Sequence, residues 1–126
     1  MEKRNWVEES RDTTFEPCTP ENAYSDYDFI KMPKAVTFNP NISPVAKLVY
    51  QILLDRQIAS MYNESKFLNE YGYYVIYRRA ELAKVMNVSE STIKRAFTEL
   101  KKNGLIEVDK TPRGSPQIIY VCKPSM

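Results

Sequence analysis

The stretch "RAELAKVMNVSESTIKRAFTELKKNGLI", residues 79–106, narrows the possible folds more than any other part of the chain. It holds two helical runs, each with an apolar row, joined only by Asn87, Val88 and Ser89. Leu82, Val85 and Met86 form the first row, and Ile93, Ala96, Phe97 and Leu100 form the second. Ser89 is a good N-cap for the second helix. Gly104 follows "FTELKKN" and predicts a left-handed C-cap. Two short helices joined so tightly make a helix-turn-helix.

The flanks extend this motif. Upstream, "YYVIY" follows Gly72 and predicts one short aromatic and β-branched strand. Downstream, "LIEVD" and "QIIYVC" predict a hairpin across the turn "TPRGSP". Further upstream, "SPVAKLVYQILLDRQIASMYN" predicts a long helix over Ser43–Asn63, with Ser43 as N-cap and Pro44 in the first helical position. The order is helix, strand, helix, helix, hairpin. The fold class is therefore α+β, mainly α: a winged helix-turn-helix with a long N-terminal helix and a C-terminal β-hairpin wing.

The long helix carries two apolar stripes. Val45, Leu48, Val49, Ile52 and Leu53 form one; Tyr50, Leu54, Ile58 and Met61 form the other, on the opposite side. A helix apolar on two faces needs cover on both. The second cover is either "FIKMPKAVTFNPNI", which Pro33 and Pro40 keep extended, or a second copy of the chain. The expectation is a homodimer that uses Tyr50, Leu54, Ile58 and Met61. Residues 1–28 read as a flexible acidic arm, and residues 29–126 as one winged-helix domain that also carries the dimerisation surface.

Composition excludes much chemistry. There is no histidine, so no histidine base, metal ligand or triad exists. There is no strand-loop-helix phosphate cradle, and the carboxylates stand singly. Cys18 and Cys122 are too far apart in sequence to form a metal knuckle or a disulfide framework. No catalytic residue, metal or cofactor is expected, and the chain does not read as an enzyme. No apolar run approaches the roughly 18 residues of a membrane span, and the N-terminus has no signal-peptide core. A cytoplasmic protein is expected. Residues 1–28 carry 3 Lys/Arg and 8 Asp/Glu, a charge of −5; residues 29–126 carry 15 and 8, a charge of +7. An acidic tail on a basic body hints at nucleic acid.

The second helix of the motif sharpens that hint. Opposite its apolar row lie Ser91, Arg95, Thr98 and Lys102, flanked by Thr92 and Lys94, with Glu99 at the edge. Small hydroxyls let a backbone approach a major groove, and arginine reads guanine O6 and N7 with two hydrogen bonds. Ser89 has two roles open to it: helix cap or phosphate ligand. At the wing tip, Arg113 suits a narrow minor groove and Lys110 suits the backbone; the alternative is a solvated turn. Arg78 and Arg79 precede the first helix, either facing phosphates or simply charging the end of the strand. A winged helix that binds only protein would show no salt-dependent affinity for DNA.

Three stretches together resemble one family: "FIKMPK", "SPVAKLVYQILLDRQIASMYN" and "GYYVIYRRAELAKVMNVSESTIKRAFTELKKNGLIEVDKTPRGSPQIIYV". The chain resembles the N-terminal domain of RepA-type replication initiators of Gram-positive plasmids, over about residues 29–121. The resemblance implies a homodimer on direct repeats in a plasmid origin, and pairing of bound dimers to limit copy number. It places Ser91, Thr92, Lys94, Arg95 and Thr98 on the recognition helix and Arg113 on the wing. It gives contacts with host replication proteins to a C-terminal domain that this chain is expected to lack. One departure is Arg78, where such proteins usually carry a hydroxyl residue. The alternative function is a winged-helix transcriptional regulator with the same DNA chemistry.

Overall fold

The computed structural model describes residues 11–22, 29–62, 67–109 and 117–125. Of the acidic arm, residues 11–22 are described. Asn22 closes a local turn there, donating to Glu16 and to the Pro17 carbonyl.

The segment from residue 29 to residue 42 is docked, but it is not the extended run expected from its prolines: beyond Pro33 it is mostly helical turn, turn and bend. The helical turn is α1 (Lys34–Thr37), started by Pro33 in an extended conformation. Val36 and Ile42 are buried. Gln51 Nε2 donates to the Ile30 carbonyl at 3.0 Å, and Lys47 Nζ donates to the Thr37 carbonyl at 2.7 Å. This segment therefore covers part of the long helix from within the same chain.

The long helix, α2, runs Pro44–Tyr62. Its buried residues are Ala46, Val49, Tyr50, Leu53 and Gln57. That single face straddles the two expected stripes. Leu48, assigned to the first stripe, is 50% exposed, whereas Tyr50, assigned to the second, is fully buried. Apolar residues lie all round α2, so periodicity alone could not choose the inner face.

The run "YYVIY" is divided between two sheets. β1 (Leu68–Asn69) and β2 (Gly72–Tyr73) form a small antiparallel hairpin, and β3 (Val75–Ile76) belongs to the main sheet. The break falls at Tyr74, whose N–H still follows the small hairpin's register in donating to the Phe67 carbonyl, before Val75 joins the main sheet. Gly72 takes φ +131, a conformation that a side chain would strain.

Helix α3 (Arg79–Met86) buries Leu82 and Ala83, and leaves Val85 and Met86 half-buried. Asn87 ends it at φ 58, ψ 48, and the Val88 N–H reaches back to the Ala83 carbonyl at 3.0 Å. Asparagine tolerates the left-handed region better than other side-chain-bearing residues, which makes so tight a turn possible. Helix α4 (Glu90–Lys102) follows and ends as expected at Gly104, φ +77, where the Leu105 N–H donates to the Leu100 carbonyl at 2.9 Å.

Strands β4 (Ile106–Asp109) and β5 (Ile118–Val121) pair antiparallel, with Val108 opposite Ile119. The sheet order is β3-β5-β4. Helix α2 packs on α4, β3 and β5, while α4 also packs on α3 and β4. Leu53, Leu82, Ile93, Leu100, Ile106 and Ile119 are fully enclosed between them. Two polar groups on α2 fasten β5. Gln57 bonds both main-chain groups of Val121, donating at 2.9 Å and accepting at 3.0 Å, past Ile119, where the pairing of β5 with the start of β3 ends. Tyr50 donates its hydroxyl to the Cys122 carbonyl at 2.6 Å.

Candidate nucleic-acid interface

The site is built on α4. Ile93, Ala96, Phe97 and Leu100 are buried, which fixes the roll of the helix about its own axis. The opposite arc is then forced outward: Ser91, Lys94, Arg95, Thr98 and Lys102 are all exposed, and Thr92 is half-buried. The sequence-predicted recognition residues thus share one solvent-facing surface.

Ser89 acts as the cap: its Oγ accepts from the Thr92 N–H at 3.2 Å. The same oxygen lies 3.0 Å from Ser91 Oγ and 2.8 Å from Thr92 Oγ1, so three hydroxyls line the start of the helix. Arg95 donates to Thr92 Oγ1 at 3.3 Å, and the Thr98 hydroxyl donates to the Lys94 carbonyl at 3.1 Å. Within the described residues the ion pair is Arg56–Glu81, so Lys94, Arg95, Lys101 and Lys102 have no acid partner there. Unpaired cations beside small hydroxyls form a surface suited to phosphates and base edges.

Arg78 stands at the N-cap of α3 without a side-chain capping bond, and Arg79 opens the helix; both are exposed. Lys110 and Arg113 lie outside the described residues. The base of the wing is described: Asn69 donates to the Tyr120 hydroxyl at 2.8 Å, and that hydroxyl donates to Asp109 at 3.0 Å.

Three residues have roles that the pattern did not reveal. Arg56 lies 3.6 Å over the Tyr77 ring, donates to the Ile76 carbonyl at 3.1 Å and meets Glu81 at 3.5 Å. That cation is consumed inside the fold. Glu99 and Ser43, distant in sequence, meet where α4 passes the start of α2. Only Ser43's capping chemistry was legible.

The expected dimer contacts separate. Tyr50 is a core residue, held by its bond to Cys122, and it is withdrawn from any outer surface. Burial pushes its phenol up to about 12. Leu54 and Ile58 are half-buried, and Met61 is 45% exposed. Burial also raises the Tyr77 hydroxyl, with Arg56 opposing the shift. Among the described residues, no group of three or more His, Cys, Asp or Glu is placed to hold a metal ion, and no helix is long and apolar enough to cross a membrane.

Comparison with known proteins gives a consistent picture. The model of the family described as the N-terminus of replication initiator protein A (RepA) matches residues 28–126. No curated protein matches the chain. Among solved structures, a Rep–DNA complex superposes with TM-score 0.66 at 24% identity, over 88% of this chain and 86% of that one. The N-terminal domain of a DNA-binding protein gives TM-score 0.65 at 24% identity, over 90% and 87%. An MDR initiator gives TM-score 0.62 at 30% identity, over 88% of each chain.

Proposed function

We propose, from the premise that this chain belongs to the replication initiator protein A N-terminal family, that it binds double-stranded DNA at repeated sites of a plasmid replication origin. The observation that carries this reading is the outer arc of α4, where exposed Ser91, Lys94, Arg95, Thr98 and Lys102 stand opposite a fully buried row. Helix α4 enters the major groove, Arg95 reads a base edge, and Lys102 meets phosphate. Arg113 and Lys110 extend the contact from the wing, and Arg78 and Arg79 from the start of α3. The likeness of the fold to that of a Rep–DNA complex supports a DNA partner.

The chain acts as a homodimer in this proposal. Support comes from apolar side chains that α2 leaves open, Leu48, Met61 and Tyr62, beside half-buried Leu54 and Ile58. The protein works in the cytoplasm as a binding domain without catalysis, in keeping with a chain that has no histidine.

Footprinting on the DNA around its gene tests the reading. Tandem protected repeats are the expected result. A single protected site at a promoter would instead identify a transcriptional regulator. Light scattering at rising concentration tests the dimer, which a persistent monomer excludes.

A further inference from the structure

The contact between α4 and the start of α2 sets the fate of one acid on the DNA-facing helix. Glu99 lies four residues after Arg95, the spacing at which opposite charges on a helix pair. They do not pair: the Arg95 guanidinium turns back to Thr92 Oγ1. Both Glu99 oxygens are occupied by Ser43, whose N–H donates to Oε1 and whose hydroxyl donates to Oε2 at 2.8 Å. Ser43 Oγ also accepts from the Ala46 N–H at 3.2 Å, so it caps α2 and holds Glu99 at the same time. The arrangement is a capping box whose acid comes from elsewhere. Ala46 sits where the acid of an ordinary capping box would stand, and Glu99 replaces it from 56 residues away.

Two effects of this contact can be separated. It could steady α4, but four buried side chains on that helix already fix its roll, so little steadying is left to supply. The carboxylate itself is the larger matter. Released, it would stand beside Arg95, where it would pair with the guanidinium and repel phosphate. We propose that Ser43 is a positioning residue for DNA recognition: it holds the Glu99 carboxylate away from Arg95 and so keeps the guanidinium available for a base. This rests on the recognition-helix reading above.

The test uses the full chain, a duplex selected by the native protein from a random-sequence pool, and a scrambled duplex of equal length. Arg95→Ala comes first. Native-like binding of the selected duplex by that variant overturns the recognition-helix reading itself. With that reading standing, Ser43→Asp retains a capping side chain but expels Glu99 by like-charge repulsion. It should weaken selected-site binding about fivefold, and Ser43→Ala about twofold. Glu99→Gln alone should bind at least as well as the native chain. The double variant Ser43→Asp/Glu99→Gln carries the native net charge and should return to within about twofold of native affinity. A purely structural role for Ser43 predicts that Ser43→Asp weakens binding by the same factor in an Arg95→Ala background, whereas release of Glu99 onto Arg95 predicts no further loss there. Native-like binding by Ser43→Asp, or a double variant as weak as Ser43→Asp, overturns the proposal.

Discussion

Helices α2 and α4 both pack on the core, but they use their surfaces in opposite ways. Helix α4 segregates its residues. One narrow row is buried, and everything opposite is polar, exposed and free of acid partners among the described residues. Helix α2 does not segregate. It buries five residues, one of them a glutamine, and its remaining apolar residues lie half-covered or open around it. The difference fits the roles proposed for the two helices. A helix that must offer a surface to a partner keeps its two faces distinct. A helix that serves as the spine of a domain meets neighbours on several sides: the docked segment at residues 29–42 on one, the winged core on another.

That contrast can be broken by substitution, and the largest effect is expected in the core of α2. Leu53→Ala should cost about 2–5 kcal/mol in denaturant unfolding, whereas Leu48→Ala on the same helix should cost less than about 1 kcal/mol. Equal costs would mean that the inner face has been drawn wrongly. Gln57→Leu comes next. It fills the same space but abandons both main-chain groups of Val121, at a cost of about 2 kcal/mol. Its signature should be early hydrogen exchange in β5.

On α4 the effect should appear in binding and spare stability. Arg95→Ala should lose about 1–3 kcal/mol of specific affinity and relax preference at one base position, with an unchanged unfolding midpoint. Tyr50→Phe should cost about 1 kcal/mol of stability, because the Cys122 carbonyl loses its donor. It also carries a pH signature. The folded phenol titrates near 12 and the unfolded one near 10. The unfolded chain therefore loses its proton first, and this contribution is full below pH 10 and vanishes as pH rises towards 12. Alkaline titration of Tyr50→Phe should lack that component. The smallest effect belongs to Lys102→Ala, which should weaken all duplexes alike and lower the salt slope by about 1.

How much could be read in advance follows the same contrast. The helix-turn-helix was legible because its signals are local. Ser89, the short Asn87–Ser89 connection, the row from Ile93 to Leu100 and Gly104 each act within a few residues. The inner face of α2 was not legible. Its apolar residues point in every direction, and Gln57 is buried only because β5, 64 residues later, supplies main-chain partners. The split in "YYVIY" escaped for a similar reason, since pairing partners decide which sheet a short β-prone run joins. Glu99 read as a residue at the edge of the binding arc, because its partner lies at the far end of another helix. The outer arc of α4 was therefore readable residue by residue, while the bond that restrains Glu99 at its edge was not. Lys110 and Arg113 rest on sequence alone.

The strand order β3-β5-β4 has a consequence for how the protein comes into being. The central strand is the last of the three to be synthesised. While the chain is emerging from the ribosome, β3 and β4 are present but have nothing between them, and Gln57 and Tyr50 have no main chain to hold. Helices α2 to α4 can meet earlier, but the sheet on which they rest closes only when residues 118–121 appear. The nascent chain therefore passes through a stage that has α4 but no closed sheet, and β4 gains its partner only when β5 has been made.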